Sequence, residues 1–230
     1  MLELNKLYNM DCMDGMKQFP DKYFDLAIVD PPYGIGENGD KAKSRGKRIG
    51  FLQSKSNAKC YAKSYESFAG DDINPPEKEY FDELMRVSKN QIIWGANHFI
   101  SRIPIDSHCW IVWDKRNGDT DFADCELAWT SFKTAVRIFR FKWNGMLQED
   151  MRNKEIRIHP TQKPVALYKW LLGKYAQQGD KILDTHAGSA SSLVACYDEG
   201  FEFVGFELSK HYYKLANDRL QNQMQQLKIL

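Results

Sequence analysis

Short apolar runs alternate with helical segments along the chain, and this alternation restricts the fold more than any other feature. Each apolar run has the length of a buried strand, and the intervening segments have room for helices, a pattern typical of a mostly parallel α/β sheet. The predicted strands are Lys6–Asn9, Asp25–Val29, Gln91–Gly95, Cys109–Trp113, Glu126–Trp129, Val136–Phe141, Lys181–Asp184 and Phe203–Phe206. The predicted helices are Cys12–Phe19, Pro76–Val87, Pro164–Tyr175, Ser189–Glu199 and His211–Gln225.

Length and composition are compatible with a single cytoplasmic domain over residues 1–230. The formal net charge of +1 creates no global basic field, so any surface that binds nucleic acid must be local. The five cysteines are scattered and include no Cys-x-x-Cys pair, which predicts reduced thiols and no metal site. We expect neither a signal segment nor a membrane span, because no apolar stretch is long enough.

A rigid polar corner follows the predicted strand Asp25–Val29. It consists of Asp30, Pro31, Pro32 and Tyr33. The prolines fix φ and lack N–H donors, so the turn cannot continue as a helix. The Asp30 carboxylate and a proline carbonyl can accept hydrogen bonds from an amino group, and the Tyr33 ring offers a flat face. These parts suit a pocket that holds the exocyclic amine of an extruded nucleobase.

A second candidate site lies at residues 181–193. The predicted strand Lys181–Asp184 ends in an acid, a turn of small residues follows, and Ser189 and Ser191 are suitable N-caps for the next helix. The turn lets the backbone approach a ligand, and the helix N-terminus favours a carboxylate. The next strand ends at Glu207, whose side chain can bind both hydroxyls of a ribose. This half is typical of nucleoside binding, and it fits either a nicotinamide cofactor or S-adenosylmethionine.

Both sites resemble motifs of one family. Asp30–Tyr33 resembles the catalytic signature of DNA amino-methyltransferases, which modify adenine N6 or cytosine N4. Asp184–Ala190 resembles their cofactor motif, Asp-Pro-Phe-x-Gly-Ser-Gly-Thr, but Thr185, His186 and Ala190 replace the Pro, the Phe and the last Gly. The order of the motifs is similar to the permuted β group. The resemblance implies a Rossmann-like class I S-adenosylmethionine-dependent methyltransferase fold, in which helices flank a mostly parallel central sheet and both motifs follow adjacent strands.

Two further segments resemble the same family. Ile158–Leu167 contains its His-Pro-x-x-Lys-Pro pattern, in which Lys163 can meet a carboxylate and Pro164 suits the first helical turn. Leu7–Met16 resembles the segment whose Asp lies beside the adenine of the cofactor, which gives that role to Asp11, also a candidate helix N-cap. The cofactor-binding residues that the resemblance implies are Asp11, Asp30, His159, Thr161, Lys163, Asp184, His186, Ala187, Gly188, Ser189 and Glu207.

The implied reaction is a direct methyl transfer from a sulfonium to a nitrogen. Hydrogen bonds from adenine N6 to the Asp30 side chain and the Pro31 carbonyl would favour a tetrahedral nitrogen and stabilise the positive charge that grows there. The flipped base would stack on Tyr33. The expected catalytic residues are therefore Asp30, Pro31, Pro32 and Tyr33, and no cysteine nucleophile is required.

Several alternatives stay open. Asp at the first motif position favours adenine N6 over cytosine N4, whereas RNA and protein amide methyltransferases of similar type tend to have Asn there. A nicotinamide oxidoreductase would explain Glu207, but it leaves Asp30–Tyr33 unexplained and the Gly-x-Gly-x-x-Gly fingerprint is absent. A non-catalytic DNA-binding module that kept the fold is the third alternative.

Residues 34–64 have no clear periodicity and contain a local excess of basic residues. Their position after Tyr33 predicts an insertion loop that contacts the phosphates of double-stranded DNA. Residues 144–157 are the other spare segment and a candidate for target recognition. Because so little chain is spare, we expect a short recognition sequence, a homodimer or a separate specificity partner. The expected nucleic-acid contacts are Lys41, Lys43, Arg45, Lys47 and Arg48.

Overall fold

The computed structural model describes residues 1–35, 74–117, 123–144 and 147–226. Its strands are β1 (Lys6–Tyr8), β2 (Phe24–Val29), β3 (Ser88–Trp94), β4 (Trp110–Asp114), β5 (Cys125–Thr130), β6 (Arg137–Arg140), β7 (Trp143–Asn144), β8 (Leu147–Gln148), β9 (Lys181–Asp184) and β10 (Glu202–Phe206). Its helices are α1 (Cys12–Met16), α2 (Lys78–Val87), α3 (Val165–Tyr175), α4 (Ser191–Glu199) and α5 (Lys210–Gln226). Two 3-10 turns, Ala96–His98 and Ile100–Arg102, follow β3.

Within the described residues, eight strands form one sheet in the order β1-β10-β9-β2-β3-β5-β4-β6, and β7 pairs with β8 in a separate hairpin. Neighbouring strands are parallel from β1 to β3, and β4 is parallel to β6. Strand β5 is antiparallel to both of its neighbours, β3 and β4. The carboxyl ends of the parallel strands therefore share one edge of the sheet, and the amino end of β5 lies at that same edge.

The sheet is covered by side chains on both faces. In β2, Leu26 and Ile28 pack in one core cluster and Ala27 and Val29 in the other, because successive side chains of a strand point to opposite faces. Residues of α3, α4 and α5 belong to the first cluster, and residues of α1 and α2 belong to the second. The prediction of a mostly parallel sheet flanked by helices is confirmed.

Every strand and helix predicted from the sequence has a counterpart, and the differences are at the ends. The predicted helix Cys12–Phe19 ends at Met16, because the last turn tightens: the Phe19 N–H donates to the Met16 carbonyl, and Pro20 has no N–H to continue the helix. The predicted helix Pro76–Val87 begins at Lys78.

The hairpin of β7 and β8 and the two 3-10 turns were not predicted. Each strand of the hairpin is only two residues long, so no alternation of apolar and polar residues marks it. The hairpin opens the segment that was predicted to serve target recognition. Among the described residues, no helix combines the length and the apolar character that a transmembrane span needs.

Candidate active site

The two sites predicted from the sequence meet at the carboxyl edge of the sheet. Strands β2 and β9 pair directly and in parallel. Asp30 follows β2 and Asp184 ends β9, so adjacent strands bring both motifs to one edge, as predicted. Strand β10, on the other side of β9, places Glu207 at this edge, and β1 places Asp11 beside it.

Both carboxylate oxygens of Asp30 have partners. The Tyr33 hydroxyl donates to Oδ1 at 2.7 Å, and the ammonium of Lys163 lies 2.5 Å from Oδ2. Lys163 Nζ also lies 3.1 Å from the Tyr33 hydroxyl. The structure thus brings Lys163, from the His-Pro-x-x-Lys-Pro segment, to the polar corner Asp30–Tyr33, and Asp30 is a carboxylate that it contacts.

Glu126 completes this group of charges, although the sequence analysis did not identify it. Its Oε2 lies 3.0 Å from Lys163 Nζ and 3.4 Å from the Tyr33 hydroxyl, and its Oε1 forms an ion pair with Lys115. Glu126 reaches the corner because β5 runs antiparallel to β3 and begins at the edge where β3 ends. Asp30, Glu126, Lys115 and Lys163 are termed the charge cluster below, and their formal charges sum to zero.

Burial shapes the ionisation of the charge cluster. The side chain of Lys163 is 3% exposed and that of Asp30 is 16% exposed. Burial raises the pKa of Asp30, against the opposing effect of Lys163. Burial acts in the same direction on Glu126, but Lys163 and Lys115 outweigh it and lower the pKa of Glu126 to about 2. Burial disfavours the Lys163 ammonium, but the two carboxylates outweigh it and raise the pKa of Lys163.

The Tyr33 ring is held by the backbone and by a second ring. A methyl group at Gly95 would lie 2.0 Å from the Tyr33 ring, and Gly95 has a φ of 67°, so both the contact and the turn require glycine. His98 stacks on the ring with centroids 5.1 Å apart and an interplanar angle of 14°. His98, which the sequence analysis missed, therefore covers one face of Tyr33.

Acids on two neighbouring strands fix the turn after β9. Asp184 accepts hydrogen bonds from the His186 N–H at 3.0 Å and from the Ser192 hydroxyl. Glu207 accepts a hydrogen bond from the Gly188 N–H at 2.9 Å. Gly188 has a φ of 52°, which glycine adopts without strain. The small turn and the acid of the next strand, predicted to act together, are thus in direct contact.

Thr185 and His186, which replace the Pro and the Phe of the family motif, belong to one polar chain. The Thr185 hydroxyl lies 2.6 Å from the Tyr80 hydroxyl of α2 and 2.9 Å from His186 Nδ1. His186 Nε2 lies 4.0 Å from Cys12 Sγ. Burial lowers the pKa of His186 to about 4, so the ring is neutral at physiological pH. Tyr80 was not identified from the sequence.

His159 packs against the turn after β9. A methyl group at Gly188 would lie 3.7 Å from its ring, and Tyr212 of α5 packs edge-on against it with centroids 4.3 Å apart. The Thr161 hydroxyl lies 3.1 Å from His159 Nδ1. Burial lowers the pKa of His159 to about 3, and the charge of Lys163 acts in the same direction. A neutral His159 and Thr161 therefore lie next to the glycine turn.

The prediction that Ser189 or Ser191 caps the N-terminus of α4 is wrong. The cap position is Ala190, which adopts a φ of 58° and makes no side-chain capping bond. Ser191 is the first helical residue, so its hydroxyl cannot lie ahead of the first turn, and it bonds instead to the Ser189 hydroxyl at 3.0 Å. The Ala187 N–H donates to the Phe206 carbonyl at 2.9 Å, which ties the turn to β10.

One carboxylate connects the segment 144–157 to α3 and, through Arg219 of α5, to the turn after β9. Glu155 accepts hydrogen bonds from Arg219 at 2.8 Å and from the Val165 N–H at the start of α3 at 2.9 Å. Arg219 also donates to the Ser189 carbonyl at 3.0 Å. Sequence reasoning did not identify Glu155 or Arg219, because their pairing depends on how α5 packs.

Asp11 is the N-cap of α1, as predicted: its Oδ1 accepts a hydrogen bond from the Met13 N–H at 2.7 Å. Its position at the end of β1 is compatible with the predicted role beside the cofactor. The five basic residues that were predicted to contact DNA, Lys41, Lys43, Arg45, Lys47 and Arg48, lie outside the described residues.

Comparison with known proteins assigns the family. The model of a DNA methylase family, N6_N4_Mtase, matches residues 60–218. The chain belongs to this family. This membership is inconsistent with the nicotinamide oxidoreductase alternative. The DNA adenine methyltransferase YhdJ of Escherichia coli K12 is 24% identical over an alignment of 251 residues, and this alignment covers 95% of this chain and 83% of that protein.

Solved structures share the fold of this DNA methylase. The M1.HpyAVI–SAM complex is 20% identical, with a TM-score of 0.55 over 93% of this chain and 98% of that one. The cytosine-N4-specific PvuII DNA methyltransferase is 10% identical, with a TM-score of 0.57 over 96% of this chain and 92% of that one. At these identities the likeness concerns the fold alone, and it confirms the predicted Rossmann-like class I methyltransferase fold.

Asp184 should make the stability of the methylase depend on pH. Burial raises the pKa of Asp184 to about 7, whereas an unfolded aspartate has a pKa of about 3.9. The folded chain therefore holds an extra proton between these values, and this contribution to stability is present at low pH and lost as the pH rises through about 7. Relative to Asp184→Asn, the wild type should lose about 2 kcal/mol of unfolding free energy between about pH 5 and pH 8.

The measurement is urea unfolding of both proteins at the two pH values. A stability difference that does not change with pH would mean that Asp184 is ionised throughout this range.

Proposed function

We propose that this DNA methylase transfers the methyl group of S-adenosylmethionine to N6 of an adenine in double-stranded DNA. The observation that supports the proposal most strongly is the direct parallel pairing of β2 and β9. Because Asp30 follows one strand and the turn 184–189 follows the other, an amine and a methyl donor can be held side by side. Holding two reactants in line can supply up to about 7–11 kcal/mol of the barrier reduction.

The residues at the ends of β9 and β10 fit S-adenosylmethionine. Gly188 has no side chain to exclude a ligand, and its N–H donates a hydrogen bond to Glu207. A carboxylate at this position suits the hydroxyls of a ribose. Helix α4 has nine residues and no side-chain cap, so its N-terminus suits a carboxylate. When bound, S-adenosylmethionine supplies an electrophilic methyl group on its sulfonium.

The residues proposed to hold the cofactor lie at this edge. Asp11 is assigned to the adenine end and Glu207 to the ribose, while Asp184 and the turn after it hold the shape of the pocket through the contacts described above. The full proposed set is Asp11, Asp30, His159, Thr161, Lys163, Asp184, His186, Ala187, Gly188, Ser189 and Glu207.

The proposed catalytic residues act on the target amine. The Asp30 carboxylate and the Pro31 carbonyl accept its hydrogen bonds, which directs the nitrogen lone pair away from the ring and stabilises the positive charge that develops on it. Each carboxylate oxygen has two lone pairs, so Asp30 can accept from the amine while it keeps Tyr33 and Lys163. Pro32 stiffens the turn, and the flipped base stacks on Tyr33.

Adenine is proposed over cytosine on two grounds. Asp30 occupies the first motif position, and the resemblance associates Asp there with adenine N6. The relative YhdJ is named a DNA adenine methyltransferase, although it is only 24% identical. The alternative, transfer to cytosine N4, has the support of the shared fold of the cytosine-N4-specific PvuII enzyme.

Mass spectrometry of nucleosides distinguishes these functions. Unmethylated plasmid DNA is incubated with the purified chain and S-adenosylmethionine, then digested to nucleosides. N6-methyladenine is the expected product, and N4-methylcytosine would establish the alternative. Tight S-adenosylmethionine binding without any methylated nucleoside would instead support the non-catalytic DNA-binding module.

The basic residues of segment 34–64, which the sequence predicts to be an insertion loop, should account for part of the salt dependence of DNA binding. Each lysine or arginine that contacts a phosphate contributes a slope of about −0.9 to the logarithm of affinity against the logarithm of salt concentration. Replacing the five basic residues by glutamine should weaken DNA binding and make the slope shallower by about 1 or more. The residues are Lys41, Lys43, Arg45, Lys47 and Arg48.

Fluorescence anisotropy with a labelled duplex at several salt concentrations measures this slope. The matched control replaces Lys89 and Lys174, which lie at the start of β3 and the end of α3, at the opposite edge of the sheet. The control should keep the slope of the wild type. An unchanged slope in the variant of the five basic residues would show that these residues make no phosphate contacts.

A further inference from the structure

The charge cluster contains two residues to which the proposed function gives no role, Glu126 and Lys115. Building on the proposed function, we propose that Glu126 is a positioning residue that holds Lys163 at Asp30, and that Lys115 balances its charge so that the amine pocket is neutral overall. Neither residue needs to contact the DNA or the cofactor for this role.

The surroundings of Lys163 explain why Asp30 needs help. The Lys163 side chain is 3% exposed, and its ammonium lies 5.5 Å from the Tyr33 ring centroid and 5.6 Å from that of Trp94. A buried ammonium requires compensating charge, and removal of one partner from a buried pair leaves the other uncompensated. Glu126, 3.0 Å away, supplies a second carboxylate, so Lys163 stays charged whichever bonds Asp30 makes with a substrate.

The two oxygens of Glu126 are directed to different partners. Oε2 faces Lys163 and the Tyr33 hydroxyl, and Oε1 faces Lys115, whose ammonium also lies 5.2 Å from the Trp113 ring centroid. The side chains of Lys115 and Glu126 are 17% and 20% exposed, so water screens their charges incompletely. The pair therefore influences the potential at Asp30.

Charge balance matters because positive charge grows on the target nitrogen during methyl transfer. If Glu126 loses its charge, the cluster changes from neutral to a net charge of +1, which opposes that growth. Two unit charges about 7 Å apart at an effective dielectric constant of about 20 interact strongly enough to change a rate by about 10–100-fold. If Lys115 also loses its charge, neutrality is restored.

The test compares three variants of the charge cluster with the wild type. They are Glu126→Gln, Lys115→Met and the double variant, with net cluster charges of +1, −1 and zero. Single-turnover methylation is measured at saturating S-adenosylmethionine and DNA. Glu126→Gln should be about 10–100-fold slower than the wild type, and the double variant should be at least about threefold faster than Glu126→Gln. A merely structural role predicts the reverse, since the double variant loses more contacts.

Controls separate this inference from the proposed function. Glu3 and Lys6 form an exposed ion pair at the amino end of β1, and their double replacement by Gln and Met should leave the rate unchanged. If the wild type methylates DNA and the double variant is no faster than Glu126→Gln, or if Glu126→Gln has the wild-type rate, the inference is wrong. If the wild type methylates no DNA, the proposed function fails, and thermal unfolding then tests the inference about Glu126 and Lys115. The double variant should have a higher melting temperature than Glu126→Gln.

Discussion

Replacement of Asp30 by alanine should lower the single-turnover rate of DNA methylation by at least about 10²–10³-fold, the loss typical when one preorganised electrostatic partner of a transition state is removed. In the proposed reaction, Asp30 at the end of β2 accepts a hydrogen bond from the target amine. Without it, the developing positive charge on nitrogen lacks its nearest negative group. The turn after β9 should keep its shape in this variant, because its hydrogen bonds are made with Asp184, Glu207 and Ser192 and not with Asp30.

We expect Asp30→Ala to fold. Glu126 stays 3.0 Å from Lys163, so the buried ammonium keeps a carboxylate when Asp30 is lost. The other residues proposed to hold the cofactor remain in Asp30→Ala, so calorimetry should find S-adenosylmethionine binding within a few-fold of the wild type. Asp106 is an exposed acid that precedes β4, and Asp106→Ala is the matched control for rate. Loss of cofactor binding together with a normal rate at saturating cofactor would contradict the catalytic role of Asp30.

The sequence predicted the fold and the meeting of the two motifs because both depend on local patterns. The apolar run in β2 and the small-residue turn after β9 are visible in the chain itself, and strands of a parallel α/β sheet present such turns at one edge. The prediction that the motifs follow adjacent strands is confirmed by the parallel pairing of β2 and β9.

The charge cluster could not be predicted in full, because it depends on strand order and direction. Glu126 is the second residue of an ordinary strand, β5, and only the antiparallel position of β5 between β3 and β4 places it beside Lys163. The capping prediction failed for a related reason. Ser189 is a good cap by residue type, but Ala190 adopts a left-handed conformation at the cap position and α4 begins at Ser191, which the residue types do not reveal.

The departures from the family motif at Thr185 and His186 are also explained only in three dimensions. A sequence motif shows that a proline and a phenylalanine are replaced, but not what the replacements contact. In the structure the Thr185 hydroxyl lies between the Tyr80 hydroxyl and His186 Nδ1, so the new polar groups satisfy each other and a residue of α2. The changed motif therefore keeps its buried polar atoms paired.

Lys163→Met should be the most destabilising single change in the active site. It removes the ammonium between Asp30 and Glu126 and leaves two carboxylates of low exposure facing each other. Breaking a buried ion pair by removing one partner typically costs about 3–5 kcal/mol, which for a chain of this size lowers the melting temperature by about 6–20 °C. Methylation should be lost as well, because Asp30 will be held less firmly and more readily protonated.

The destabilisation by Lys163→Met should depend on pH, in a direction that follows from the pKa of Asp30. Burial already raises the pKa of Asp30, and Lys163 is the charge that opposes the increase, so the pKa should rise further in Lys163→Met. An acid whose folded pKa lies above its unfolded value contributes stability at low pH and loses that contribution as the pH rises. The destabilisation by Lys163→Met should therefore be smaller at about pH 5 than at about pH 8.

Urea unfolding at both pH values tests the direction of this pH dependence. The control residue lies in α3, which begins just after Lys163. Lys169 of α3 pairs with Asp198 at 2.7 Å, but its side chain is 38% exposed, so Lys169→Met should cost less than about 1 kcal/mol at either pH. Adding Glu126→Gln to Lys163→Met should recover part of the loss, because one of the two facing carboxylates is then neutral. The proposed role of Lys163 would be contradicted by a loss of unfolding free energy in Lys163→Met no larger than that in Lys169→Met, or by a loss that increases toward acid pH. Either result would show that Lys163 does not compensate the charges of Asp30 and Glu126.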